Sequence, residues 1–99
     1  MNSFNKSYVN GTETYYYKTS DKKAAYYVQK QLVKSLKLKD NGIKRAKMYV
    51  LKNSNIPGVL IEPCFMTNPK EYSLLKTENF KNKIAIGTVN GIENYFKNI

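Results

Sequence analysis

Histidine and tryptophan are absent from the 99 residues, and cysteine and arginine occur once each, at Cys64 and Arg45. Each absence excludes a kind of chemistry. Without histidine the chain has no imidazole to shuttle protons or hold a metal, and no Ser-His or Cys-His pair can be built from it. A single cysteine excludes an intrachain disulfide and a Cys-pair zinc site. There is no glycine-rich phosphate loop. No apolar run approaches the roughly 20 residues that span a bilayer. Met1 to Lys6 has no apolar stretch of the kind an export signal needs. Neither a membrane span nor a signal peptide is therefore expected in this chain.

The positive charge is abundant but of one kind. Lys and Arg number 17 against 7 Asp and Glu, a formal charge of +10. Nearly all of it is lysine, a mobile point charge, whereas arginine supplies the planar fork that reads phosphates and bases. Diffuse attraction to an anionic polymer fits this composition better than sequence-specific nucleic-acid binding, so nucleic acid is the weaker candidate partner. The length sets one domain, residues 1–99, as the ceiling. Apolar residues make up 41% and are clustered, which argues against disorder.

Along the chain, Asn10-Gly11 signals a turn, and the β-branched and aromatic run Thr12 to Tyr17 predicts a strand. Ser20-Asp21 offers a helix cap. Ala25, Val28, Leu32 and Leu36 then recur at helical spacing opposite a lysine face, and this helix is expected to stop near Asp40-Asn41-Gly42. Met48 to Leu51 predicts a second strand. Val59-Leu60-Ile61-Glu62 predicts a third, apolar throughout like a strand covered on both faces, and Pro63 ends it. Asn68-Pro69-x-Glu71 predicts a helix start, with Asn68 as cap, Pro69 in the first turn and Glu71 bonding back to the cap. A last helix from Thr77 or Glu78 to about Lys97 carries the stripe Phe80, Ile84, Thr88, Ile92 and Phe96. Its glycines, Gly87 and Gly91, predict close approach of the helix to the sheet. The order of elements implies an α/β fold: an open, mainly parallel sheet of about three strands with packed helices.

Glu62 is the leading candidate for chemistry. It is a carboxylate at the end of an apolar strand, where open α/β sheets place their ligands and where partial desolvation suits proton transfer. The alternative is a loop cap or a lysine partner. Cys64 lies beside it, but with no histidine to activate it a buried structural thiol is the favoured interpretation. The tyrosines at 15, 16 and 17 could stack on sugars or bases, but aromatic packing within a strand is the favoured interpretation.

Five segments resemble one family in one order. Asn10 to Tyr17 is similar to G-x-E-x-Y-Y. Asp40 to Ala46 is similar to D-R-G-V-K-x-A, with Asn41 in place of Arg. Pro57 to Glu62 is similar to P-A-V-L-V-E, here followed by Pro63-Cys64 rather than a small or apolar pair. Phe65 to Tyr72 is similar to G-F-x-S-N-P-x-D. Ile84 to Phe96 is similar to the closing helix I-A-x-A-I-x-x-G-I-x-x-Y. Together they resemble the zinc-dependent N-acetylmuramoyl-L-alanine amidases of type 3, found in autolysins, spore-wall lytic enzymes and phage endolysins.

The resemblance implies the C-terminal part of that catalytic domain. It implies peptidoglycan as substrate, cleavage between N-acetylmuramic acid and L-alanine, and an extracellular or cell-wall location. Glu62 matches the family's general base and proton shuttle. Zinc is the family's cofactor, held by two histidines and a glutamate. None of these ligands carries over, since Asn2-Ser3-Phe4 lines up just after the last of them. Asn2 is then a substrate-binding candidate, no metal ligand is assigned, and the chain alone is expected to be inactive. A sheet lacking half its strands also implies an open edge, so a homodimer or a strand-completing partner is expected.

Overall fold

Strand β1, Thr12–Tyr16, is the centre of the sheet, and its alternation determines what faces what. The structure is a computed structural model that describes residues 8–53 and 55–99; Asn2 lies outside the described residues. Thr12 and Thr14 are fully buried and Tyr16 nearly so. Thr14 donates from its hydroxyl to Oε1 of Gln29 on helix α1, Lys22–Leu36, at 2.8 Å. Gln29 in turn donates to the Thr12 carbonyl at 2.7 Å and to Asp40 Oδ1 at 2.8 Å. One buried amide thus joins α1 to the sheet with every polar group satisfied, the condition for burying it without loss.

The sheet has three strands in the order β2-β1-β3, with β2 at Asp40–Arg45 and β3 at Leu60–Glu62. β2 runs parallel to β1 and β3 antiparallel. The sheet is therefore mixed rather than mainly parallel. The predicted second strand at Met48 to Leu51 is instead a single helical turn, α2, Tyr49–Lys52. Of its residues Leu51 is buried, while Tyr49 and Val50 point outward. The place beside β1 is taken by Asp40–Arg45, the segment that looked like a helix stop. Helix α1 ends earlier, with Lys37 in the left-handed conformation at φ 57°. The Asp-Asn-Gly signal serves a bulge within β2: Thr12 pairs with Asp40 and Thr14 with Ile43, so one residue is extra. Gly42 takes φ 77° there, and its N–H donates to Asp40 Oδ1 at 2.8 Å.

β3 is an edge strand of this sheet, not the doubly covered centre that its apolar run suggests; the central strand is β1. Asp21 positions its approach. Its side chain does not cap α1 but turns inward, nearly fully buried, to accept the Gly58 N–H at 3.2 Å and pair with Lys18 at 3.3 Å. After β3 come α3, Pro69–Leu75, and α4, Glu78–Lys97. Asn68 caps α3 as expected, accepting from the Lys70 and Glu71 N–H groups, and Thr77 caps α4 through the Phe80 N–H.

The core is Val28, Leu32, Leu36, Cys64 and Phe80, with Ile61, Leu74, Leu75 and Ile84 packed around it. Helix α4 lies against α1. A Cβ at Gly91 would stand 2.6 Å from Val28 Cα, and one at Gly87 would stand 3.1 Å from Leu32 Cα. The two glycines thus allow a helix–helix contact rather than the helix–sheet contact expected from sequence. Of the predicted α4 stripe, Phe80 is buried but Ile92 and Phe96 are exposed.

Candidate active site

Glu62 ends β3 and is buried at 6% exposure. It pairs in register with Glu13 of β1, so the two carboxylates lie side by side on the sheet face away from α1. Glu13 is buried more deeply, at 2%. Buried carboxylates need donors, and Glu13 has three. Lys44 Nζ lies 3.1 Å from Oε1, Asn41 Nδ2 donates at 3.4 Å, and the Tyr15 hydroxyl donates to Oε2. Asn41, placed where the resembling motif has arginine, also donates to the Asn10 carbonyl at 2.7 Å. Burial, the bond to Glu13 and then the charges of Glu13 and Glu62 hold the Tyr15 phenol well above its ordinary range. Tyr15 is therefore a neutral donor at the boundary between the two carboxylates.

A cleft of about 380 Å³ opens over this face, lined by Tyr8, Asn10, Glu13, Tyr15, Asn41, Lys44 and Phe65 among others. Glu13 lines it, whereas neither Glu62 nor any other residue of β3 is among its lining residues. Its walls are tied together by Glu71, whose sequence role had seemed to be capping. Its carboxylate instead accepts the Gly11 N–H and the Phe65 N–H, both at 2.8 Å, bridging the approach to β1 and the loop after β3. Thr12 adds a hydroxyl bond to the Pro63 carbonyl at 2.8 Å, and Asn68 Nδ2 donates to the Val9 carbonyl at 3.1 Å. The segment carrying Glu62 is thereby fixed from both sides. Cys64, fully buried in the core, has its thiol pushed up to about 12 by burial and then by the charges of Glu71 and Glu62. Such a thiol is not a nucleophile at neutral pH.

Sequence reasoning singled out Glu62, passed over Glu13 and Lys44 as site residues, and gave Glu71 only a capping role. The signal for Glu13 was present: a carboxylate within a strand of β-branched and aromatic residues is rarely there without a partner. Of the tyrosine run, Tyr16 packs inward, Tyr15 serves the carboxylates, and Tyr17 lies under the Arg45 guanidinium at 4.9 Å. Among the described residues no three His, Cys, Asp or Glu side chains stand where they could hold a metal ion.

A layered α/β domain with a buried carboxylate at the end of an edge strand and a polar cleft over the sheet belongs to the class of open-sheet α/β folds. The particular family follows from comparison with known proteins. The profile of the type 3 N-acetylmuramoyl-L-alanine amidases matches residues 1–94, and the chain belongs to this family. It is 37% identical over 100 residues to the N-acetylmuramoyl-L-alanine amidase LytC of Bacillus subtilis, a match covering 97% of this chain and 20% of LytC. Its fold superposes on the catalytic domain of the amidase CwlV of Bacillus (Paenibacillus) polymyxa with TM-score 0.91 at 35% identity, covering 97% of this chain and 54% of that one. It also superposes on the CwlD amidase of Clostridioides difficile, solved in complex with the GerS lipoprotein, with TM-score 0.92 at 35% identity, covering 98% and 51%. The chain thus spans about half of the solved amidase chains and a fifth of LytC. The family is generally zinc-dependent, and its members act in the cell wall or outside the cell. No helix among the described residues is long and apolar enough to cross a membrane.

Proposed function

We propose that residues 1–99 form the C-terminal part of a peptidoglycan amidase domain and that Glu62 is its general base. The observation that carries this is the position of Glu62: buried at the end of β3, beside a second buried carboxylate, just before a loop tied through Pro63 and Phe65. In this proposal Glu62 takes a proton from the attacking water and returns it to the departing L-alanine nitrogen. Water adds across the amide, leaving the lactyl carboxylate of N-acetylmuramic acid and a free amine. Glu13, neutralised by Lys44 and hydrogen-bonded by Tyr15, keeps the neighbouring negative charge compensated. The lysine-rich surface favours approach to an anionic wall. Asn2 is proposed to contact substrate.

The described residues do not fit zinc on their own. The family's zinc would be held by ligands from the other half of the fold. The working location is the cell wall, and the partner is whatever completes the sheet beyond β3, a complementing half or a second copy. The test is a hybrid that joins this chain to the half of the CwlV catalytic domain it does not match. Release of L-alanyl peptide from muropeptides is expected, falling by about 10²–10⁴ on Glu62→Gln, the usual worth of a general base. Undiminished release by the variant would remove Glu62 from the chemistry.

A further inference from the structure

A second cleft, of about 510 Å³, adjoins the one over Glu13 and Tyr15, with Asn10 and Lys39 lining both. One wall is the segment after α1, Lys37 to Lys39, and the other is the start of α3. Lys37, Lys39 and Lys70 line it and are exposed, and none of their ammonium groups has an ion pair or hydrogen bond among the described residues. The carboxylate in the lining, Glu71, is buried and has both oxygens committed to the Gly11 and Phe65 N–H groups. The backbone of the walls is fixed. The Thr12 N–H donates to the Lys39 carbonyl at 2.8 Å and the Lys37 N–H to the Val33 carbonyl at 2.9 Å. Gly11 presses so closely on the first wall that a Cβ there would stand 2.6 Å from the Lys39 carbonyl oxygen. Lys37 itself sits at φ 57°, a conformation that glycine or asparagine adopts at a helix end with less cost. That position nevertheless carries an ammonium group. No residue of β3 or α4 lines either cleft, so neither is built on the open edge of the sheet.

We propose that this lysine cleft binds the phosphodiester groups of an anionic polyol-phosphate polymer and holds that polymer beside the Glu13 cleft. The lining selects this chemistry. Its cations are all lysine, point charges that suit a tetrahedral phosphodiester, whereas planar carboxylates favour the arginine fork that the lining lacks. Lys37 and Lys39 on one wall and Lys70 on the other suit a chain of repeated charges passing between them. Leu38 and Leu74 offer aliphatic surface to the carbon backbone of a polyol. Nucleic acid carries the same linkage, but single strands draw much of their affinity from bases stacked on aromatic rings. No aromatic residue lines this cleft. The site is independent of the role of Glu62, and it localises at named residues an attraction that net charge alone would spread over the whole surface.

The test is calorimetric titration of the full 99-residue chain with a short poly(glycerol phosphate) at several salt concentrations. Lys37→Gln, Lys39→Gln and Lys70→Gln combined should weaken binding by about tenfold or more and lower the log–log salt slope by about 2–3. Lys22→Gln, Lys52→Gln and Lys83→Gln combined remove the same charge from exposed positions elsewhere and should weaken it by less than about threefold. Lys37→Gly separates binding from folding. It should hold or raise the melting temperature, because glycine suits the left-handed position, and still weaken binding by about twofold or more. An oligothymidylate of equal charge should bind at least about threefold more weakly than the polymer. Glu62→Gln should bind the polymer as the parent chain does, so a failure of the catalytic proposal and a failure of this one are separate results. Equal losses in the two triple variants would reduce the effect to net charge and overturn the proposal. Polymer binding indifferent to Lys37→Gly would overturn it as well. So would an oligothymidylate that binds as tightly as the polymer, which would assign the cleft to nucleic acid.

Discussion

Glu71 shows how a single residue can be more important than its sequence context suggests. Its place three residues after Asn68 fits a capping box, yet Asn68 does the capping and Glu71 collects two backbone N–H groups from segments far apart in sequence. Glu71→Ala should leave both N–H groups buried without an acceptor and destabilise the fold by about 2–4 kcal/mol, measured by urea unfolding. A loss below about 0.5 kcal/mol would contradict that bridging role. Cys64 gives a second prediction at this scale. Its folded pKa is raised, from 9.0 to about 12, so the stability its protonated thiol contributes is complete below pH 9.0 and is lost as pH rises from there toward about 12. The native thiol should resist a disulfide reagent at about pH 8 and react at once on unfolding. Cys64→Ala should flatten the fall in urea midpoint above pH 9.0.

Among the elements, the α1–α4 contact is set by two missing side chains. Ala has a higher helix propensity than Gly by about 1 kcal/mol, so Gly→Ala stabilises an exposed helix. At Gly91 the new methyl would sit 2.6 Å from Val28 Cα, a backbone atom that cannot rotate away. Overpacking of this kind costs about 1–3 kcal/mol or more, and it outweighs the propensity gain. Gly91→Ala should therefore lower the melting temperature, and Gly87→Ala, whose nearest contacts are at 3.1 Å, should do so less. The reverse order would mean that the helices part more easily at Gly91 than the contact implies.

The elements also show where sequence patterns succeed and fail. Helices α3 and α4 followed from their caps, and the body of α1 from periodicity alone, because those signals are local. The strands were harder. Asp40–Arg45 carries turn residues because its bulge needs Gly42, and a parallel pairing with β1 leaves no local trace. Tyr49-Val50-Leu51 has strand composition, yet the edge it would occupy is filled. The burial of Glu62 at a strand end was legible from its position after an apolar run, and the proton-shuttle role that the family resemblance implies for it is a proposal. The partners of Glu13 could not be found, because Lys44 and Asn41 reach it only through the register of β2 against β1.

At the scale of the whole molecule, half a catalytic domain retains the architecture of the complete one. The buried carboxylates, the cleft and the Glu71 bridge are all internal to these residues, whereas a zinc site is not among those described. The proposed function places the general base in these residues and the family's zinc ligands in the part of the fold they do not span. The most direct measurement is a pair of assays on the joined hybrid and its Glu62→Gln variant, zinc content and L-alanyl peptide release side by side. Equal zinc with release reduced by about 10²–10⁴ in the variant is the predicted result. Equal zinc with equal release would contradict it and leave Glu62 a structural carboxylate.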